Sequence, residues 1–575
     1  MSRSLTNRKG FSATLSVAAF LIVLLPSGAW GAQGAAKLSG EVAEKIHAAG
    51  SDDLLPVIIQ TVGEPTPGHL VRLHGRGGAV KSRHSAIRGY SARVPASQIA
   101  ALAEDPEVEH VSFDSPVVAH LDVAYKAVKA DLAWVSSAGL DGSGVGIALV
   151  DTGAAGHRDL MRPKGSPQVV EVEVVGHENG LADYFGHGTH VAGVINGNGA
   201  SSSDARSFRT FKGLAPGAQL ISIRALYPDG TGFTSDIIAA IDWTIRFRAA
   251  YNIRVLNLSL GHPVYESYKD DPMCRAVRQA YESGIVVVVA AGNDGGAGSG
   301  FGTITSPGNE PTAVTVGAMD DAGTVTTADD VLAWYSSKGP SLIDFVVKPD
   351  LVAPGSSIVS LRATGSYIDT TYPDLTLPAG EYRNDPSGGT KPGDYLVLSG
   401  TSIAAPMVSA TAALMLQKDP SLTAATVKAR LMKSAAKDDR LMFETGAGYL
   451  DVDAALSASG DARSAQSPLA MLAPDGYVYV EDPGLIWGID FTLGGIWGGG
   501  TKGTCVGLDL LDVPATITSA FGEVWGGKGG SASLLDNNMI TASGLIWSRD
   551  RCSIASASGS LDVLGGIWGG GTKTP

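Results

Sequence analysis

Cysteine is scarce in this sequence: Cys274, Cys505 and Cys552 are the only three in 575 residues. A scaffold held by many disulfides is thereby excluded, and an odd number cannot all pair within one chain. Cys505 and Cys552 share the C-terminal stretch, where an export compartment would allow them to pair. Cys274 falls in a helical pattern over residues 271–281 and reads as a small buried apolar side chain. Basic residues are also in deficit, with 43 Lys and Arg against 57 Asp and Glu and a formal net charge of −14. That balance argues against nucleic acid or an anionic membrane as the main partner. Past the N-terminus, no apolar run reaches the roughly 20 residues that a bilayer span needs.

What is present begins with an export pattern. Arg3, Arg8 and Lys9 make a basic start, and an apolar run covers residues 13–26. Ala29 and Gly31 then place small side chains around a cleavage point. The run is too short for an anchor, so residues 1–31 read as a signal peptide. The mature protein is expected to be secreted and extracellular, or held in the periplasm or at the cell surface, with no membrane contact after cleavage.

Residues 32–120 alternate in short pieces that suit a small α+β unit. Strands are expected at 57–59, 89–94 and 108–113, with a helix within 65–85 and another over 96–103. From 121 to 460, continuous apolar strands such as 145–150 and 285–290 alternate with helices over 234–248, 271–281 and 404–416. Such strands between helices indicate an α/β domain of three layers, its mostly parallel sheet covered on both faces and its site at the strands' carboxyl ends. From 461 to 575 the composition shifts. Trp487, Trp497, Trp525, Trp547 and Trp568 fall here, and the string Leu-Gly-Gly-Ile-Trp-Gly-Gly-Gly-Thr-Lys occurs at 493–502 and again at 564–573. Repetition of this kind predicts stacked turns or strands, a β-rich C-terminal region whose tryptophans fill a small core; the alternative is aromatic platforms that bind carbohydrate or a surface.

Three distant segments set a reactive side chain where a strand ends or a helix begins. Asp151 closes the strand 145–150, and Thr152 and Gly153 turn the chain away at once. His187 opens a helix between Gly186 and Gly188, which let an imidazole approach a carboxylate and a hydroxyl together; its pKa suits it to accept and return a proton. A zinc site built on His187 and His190 is disfavoured, because the spacing is three and no Glu lies between them. His190 reads instead as a hydrogen-bonded packing residue behind the site. Ser402 sits where a Gly-containing turn enters an apolar helix, with Pro406 in the expected first turn and free N–H groups at the helix mouth. Asn293 follows the strand 285–290, where its amide can donate to a developing oxyanion. Taken singly, Asp-Thr-Gly is an ordinary turn and Ser402 an ordinary helix cap. An esterase of the α/β-hydrolase type calls for Gly-x-Ser-x-Gly and the order Ser, acid, His, neither of which is present around Ser402.

In the chain order Asp, His, Ser these segments together resemble the subtilisin-like (subtilase) family of serine endopeptidases. The resemblance spans about residues 130–456 and includes the strings at 211–216 and 348–355. The unit before it is similar to the family's propeptide, an inhibitory intramolecular chaperone. The resemblance implies a secreted zymogen that cuts itself around residues 119–122 and hydrolyses polypeptide substrates through an acyl-enzyme, with its own propeptide as inhibitor. It implies Ser402 as nucleophile, His187 as general base and acid, Asp151 as its orienting partner, and Asn293 with the Ser402 N–H as the oxyanion hole. Ser259, Leu260 and Gly261, with Ala290, Ala291 and Gly292, match strands that line the cleft and pair with an extended peptide; Thr305 matches the floor of the specificity pocket. No cofactor is required for the chemistry. Calcium commonly stabilises the family, and Asp159 occupies a position that sometimes binds it, so a structural calcium is admitted. Ile403 and Met407 stand where the family usually has Met and often has His. The stretch 356–397 is longer than in compact members and is expected to form a surface loop that reshapes the cleft.

Overall fold

The computed structural model describes residues 37–472 apart from 115, 120–128, 131–138, 163–168, 177–182, 297–299, 323, 325–326, 385–390 and 438–439; it also describes strands at 477–480, 508–509, 545–547, 554–556 and 561–562. The expected signal peptide, the segment just past residue 119, most of the Trp/Gly repeats, and Cys505 and Cys552 lie outside the described residues.

Alternation builds the N-terminal unit. β1 (Leu54–Thr61), β2 (Ala79–His84), β3 (Gly89–Pro95) and β4 (Val108–Phe113) form an antiparallel sheet of order β2–β3–β1–β4. Val57 and Ile59 face a core with Val42, Leu73, Ile99 and Leu102, contributed by α1 (Gly40–Ala48), α2 (Pro67–Gly75) and α3 (Ala96–Ala103). Ile58 points the opposite way, as strand geometry requires, and joins Ile241, Met273 and Val277 of the following domain. The helix expected within 65–85 is shorter than that span. Gly75, Gly77 and Gly78 end it, Gly77 turning with φ +76, and residues 79–84 pair along β3 instead.

The valine-rich strands of the large domain are buried on both faces. In β12 (Val286–Ala290), Val286, Val288 and Ala290 enter one core while Val287 and Val289 enter the other. With it run β6 (Gly146–Asp151), β7 (Val169–Glu173), β8 (Gln219–Arg224), β10 (Ile253–Leu258) and β13 (Val314–Asp320), all parallel, while β14 (Val331–Leu332) is an antiparallel edge. The order is β14–β13–β12–β10–β6–β8–β7, and β15 (Leu351–Pro354) also pairs with β13. The helices α5 (Thr234–Phe247) and α6 (Pro272–Glu282) cover one face. The other is covered by α4 (His187–Asn196), α8 (Thr401–Lys418) and α9 (Ala424–Ser434). No helix among the described residues is long and apolar enough to cross a membrane.

Two expectations change. Residues 356–397 are not a plain surface loop: β16 (Ile358–Leu361), β17 (Thr376–Pro378) and β18 (Pro392–Leu398) form a small antiparallel sheet carrying α7 (Tyr367–Thr371). Arg362 braces it, with its guanidinium on both Asp369 oxygens at 2.5 and 3.0 Å. Nor does the packed unit end at the compositional break at 461. Val347 N–H donates to the Pro468 carbonyl and Ala470 N–H to that of Phe345, both at 2.8 Å. The Ser467 hydroxyl enters a buried ionic group, donating to Asp350 at 2.5 Å and accepting from Lys428 at 2.8 Å. Asp350 also meets Lys348 Nζ at 2.8 Å and Lys428 Nζ at 3.0 Å. Burial pushes the Asp350 carboxyl up, but the two lysines outweigh it and hold its pKa below the ordinary value.

Candidate active site

The strands β12, β10 and β6 run side by side, with Asn257 of β10 facing Leu149 of β6 and Val288 of β12. Asp151 is the last residue of β6, so the sheet fixes its backbone. Its Oδ1 accepts the Thr152 N–H at 2.7 Å and lies 2.8 Å from His187 Nδ1; both side chains are fully buried. A carboxylate oxygen accepts, so Nδ1 carries the proton and Nε2 keeps its lone pair. The chain entering α4 is tied down by Asp183, whose carboxylate accepts the Gly186 N–H (2.7 Å), the Thr189 N–H (2.8 Å) and the Thr189 hydroxyl (2.6 Å). Burial nevertheless raises the Asp183 pKa. Gly188 donates to Thr152 Oγ1 at 2.8 Å, and a methyl added there would fall 2.2 Å from the Gly153 carbonyl. Only glycine lets helix and turn approach this closely.

Ser402 lies in the first turn of α8, which begins at Thr401, three residues before the apolar pattern suggests. Pro406 is therefore inside the helix rather than in its first turn. It has no N–H for the carbonyl four residues back, which is that of Ser402. The Ser259 hydroxyl, just past β10, donates to that carbonyl at 2.6 Å and accepts from Asn257 Nδ2 at 2.9 Å. Asn257 Oδ1 accepts from the Ser409 hydroxyl of α8 at 2.8 Å, closing the loop. Thr401 makes a second attachment: its N–H donates to Asn293 Oδ1 at 2.9 Å, and its hydroxyl accepts the Gly292 N–H at 3.1 Å. With Oδ1 turned to the helix mouth, the Asn293 amide nitrogen is the end left to donate outward. α8 packs along α4 and across β6, β10 and β12. The start of α4 is tied to Thr152 just past β6 and that of α8 to Gly292 and Asn293 just past β12, so both helix starts lie at the carboxyl ends of the strands.

Beside this edge lies a slot that is already filled. β5 (Pro116–Ala119), the tail of the N-terminal unit, is the middle of three antiparallel strands, with β11 (Leu260–Gly261) on one side and β9 (Thr231–Phe233) on the other. Ala119 faces Leu260, and Val118 faces both Gly261 and Thr231. Leu260 follows Ser259, so the tail runs toward Ser402. The structure does not use Ala290, Ala291 and Gly292 in this pairing. Ala291 N–H goes to the Val316 carbonyl (2.9 Å), the Ala291 carbonyl to Thr305 N–H (3.0 Å) and the Gly292 carbonyl to Ser337 N–H (3.0 Å), which leaves their backbone committed. The second lip is β9, which the sequence analysis missed. Thr305 sits between Gly261 of β11 and Gly292, since a methyl built on either would fall 2.8 Å from it.

Residues 142–448 match the subtilase family, and residues 69–120 match peptidase inhibitor I9. The chain belongs to the subtilase family. Serine protease AprX of Bacillus subtilis is 36% identical over 378 residues, 64% of this chain and 79% of that protein. Subtilisin E of the same species is 31% identical over 383 residues, 66% and 84% of the two chains. In fold, the chain is similar to the crystal structure of fervidolysin from Fervidobacterium pennivorans, a keratinolytic enzyme related to subtilisin. That likeness has a TM-score of 0.53 at 21% identity, over 71% of this chain and 62% of that one. This subtilase is a serine-type endopeptidase, and its N-terminal unit is an inhibitor-type propeptide.

Other expected residues of the subtilase have ordinary surroundings. Asp159 is fully buried, with one carboxylate oxygen accepting the Ser201 N–H at 2.6 Å and the other the Tyr395 hydroxyl at 2.7 Å. Among the described residues no group of three or more His, Cys, Asp or Glu side chains is placed to hold a metal ion. His190 is buried with Nε2 3.2 Å from the Ile358 carbonyl, and burial next to His187 lowers its pKa to about 3. Cys274 is buried in α6, where burial, with Asp271 and Glu310 nearby, pushes its thiol pKa well up. Ile403 and Met407 pack in the core. Sequence reasoning missed Asp183, for which the one available signal is an acid a few residues ahead of a helix start.

Proposed function

We propose that this subtilase is made as a secreted zymogen that cuts itself just beyond Ala119 and then hydrolyses peptide bonds in proteins through Asp151, His187 and Ser402. The observation that carries the reading is the β5 tail, held between β11 and β9 and running toward the serine whose carbonyl Ser259 holds. A peptide in that slot adds a strand between the two lips, main chain to main chain. The Ser402 hydroxyl attacks the carbonyl carbon as His187 Nε2 takes its proton, and Asp151 stabilises the imidazolium. The tetrahedral oxyanion accepts from the Asn293 amide and the Ser402 N–H; losing one such donor costs about 3 kcal/mol of transition-state stabilisation. Collapse breaks the C–N bond, and the leaving amine takes the proton from His187. Water then attacks the acyl-enzyme, giving its proton to His187, and release of the acid restores Ser402. No cofactor enters these steps. Ser402→Ala is expected to leave the precursor uncut and casein intact, with no labelling by a fluorophosphonate. Processing and hydrolysis at the normal rate in that variant would defeat the reading. Secretion is checked by the N-terminal sequence of protein recovered from the medium.

A further inference from the structure

The tail that fills the slot brings a second contact with it. β9 (Thr231–Phe233) runs straight into α5 (Thr234–Phe247), so one lip of the slot and the start of a 14-residue helix are the same stretch of chain. That helix has no cap of its own, since Phe233 precedes it and offers no side-chain acceptor. The acceptor comes from the propeptide. Asp114 takes the Ser235 N–H on one carboxylate oxygen at 2.7 Å and the Ser235 hydroxyl on the other at 2.6 Å. Both residues are buried. A carboxylate is thus seated at the positive end of the helix, held there by a segment that the zymogen reading removes.

The register ties this contact to the slot. Val118 faces Thr231, Val117 faces Gly232 and Pro116 faces Phe233, so the tail and β9 pass each other one residue for one. Asp114 lies two residues before Pro116 and Ser235 two residues beyond Phe233, which is where the same register brings them opposite. An extended chain that takes the tail's place between β11 and β9 therefore carries a residue of its own to the Ser235 donors. One charge opposes it. Lys81 of the propeptide lies 2.9 Å from Asp236 and 3.6 Å from Asp114, and it departs with the tail. Asp236 keeps the Tyr227 hydroxyl at 3.3 Å but then repels an incoming carboxylate, so the site is weaker for a substrate than for the propeptide.

We infer that the uncapped start of α5, at Ser235, is a binding site for a carboxylate side chain of the substrate, five residues ahead of the residue that sits where Ala119 does. The inference rests on the active-site reading above and adds the class of chain preferred there, an extended segment with Asp or Glu at that place. Such a carboxylate contributes as a helix cap does at an open surface, about a two- to fivefold gain. The test uses the processed enzyme and internally quenched peptides that copy residues 112–124, with Asp, Ala or Lys in the place of Asp114. Each enzyme is normalised to serine titrated with a sulfonyl fluoride, and cut sites are read by mass. The wild type is expected to cut the Asp peptide about two- to fivefold faster than the Ala peptide in kcat/KM, and the Lys peptide slowest. In Ser235→Ala the ratio of Asp to Ala should fall toward one, and in Asp236→Asn it should rise. Equal rates for the Asp and Ala peptides in the wild type, or a preference that neither variant alters, overturns the inference and leaves the active-site reading standing. Should Ser235→Ala yield no titratable serine, Asp236→Asn decides alone. A wild type in which no serine titrates refutes the active-site reading, and the carboxylate site with it.

Discussion

At the scale of single residues, the tie between Ser259 and Ser402 exists because Pro406 has no N–H for the Ser402 carbonyl. Ser259→Ala would leave that buried carbonyl without its donor and loosen the nucleophile's backbone. The expected result is a drop in kcat of about three- to tenfold with a smaller change in KM, read on a single peptide substrate. An unaltered kcat would show that the bond positions nothing. His84 in the propeptide supplies a pH dependence. It is fully buried, with Nε2 3.1 Å from the Ser82 and Ser91 hydroxyls, and burial, with Lys81 nearby, lowers its pKa from 6.5 to about 3. Between those values the unfolded propeptide binds a proton that the folded one refuses, so the contribution is fully present above pH 6.5 and is lost as pH falls toward 3. In uncut Ser402→Ala precursor, the protection of β2 and β3 amides, taken relative to their intrinsic exchange rate at each pH, should be lower at pH 4.5 than at pH 7, and His84→Gln should flatten the difference. Equal protection at both pH values in the His84 protein would count against this account.

At the scale of elements, the propeptide completes a helix of the domain that follows it. The residue before α5 is Phe233, which cannot cap, and Asp114 of the propeptide takes the Ser235 N–H at 2.7 Å and its hydroxyl at 2.6 Å. In return, Asp242 of α5 accepts the Ser85 N–H at 2.8 Å. A helix cap contributes about 1 kcal/mol, so Asp114→Ala in a propeptide added in trans should weaken inhibition by about fivefold, measured as Ki; an unchanged Ki would contradict it. Elements with strong local signals were legible in the sequence: 96–103 and 108–113 coincide with α3 and β4. The Gly-flanked His187 and the strand-ending Asp151, which the structure joins at 2.8 Å, were legible for the same reason. What escaped was set by distant partners. β9 has only three residues and is a strand by virtue of β5 alongside. The start of α8 was read late because Pro406 looks like a first-turn residue until Ser259 is seen to supply the donor. Asp183 acts through a turn that carries no distinctive pattern.

For the whole molecule, the return of residues 467–470 onto the large domain makes the catalytic unit longer than composition suggests. Ending the chain at 460 removes Ser467 from between Lys428 and Asp350, leaving buried charges with fewer partners. In a Ser402→Ala background, a chain ending at 460 should unfold about 5 °C or more below one ending at 472, as followed by circular dichroism; matching transitions would show that the return is dispensable. The place where β5 lies has a consequence for diet. It is a gap one strand wide, four residues long, bounded by two rims of main chain. A chain passing through must be straight and must have amides and carbonyls to spare on both edges. Helices keep those groups for themselves and native sheets have already spent them, so unravelled segments are what reach the serine. The protease thus inspects how readily a protein frays before it reads any side chain.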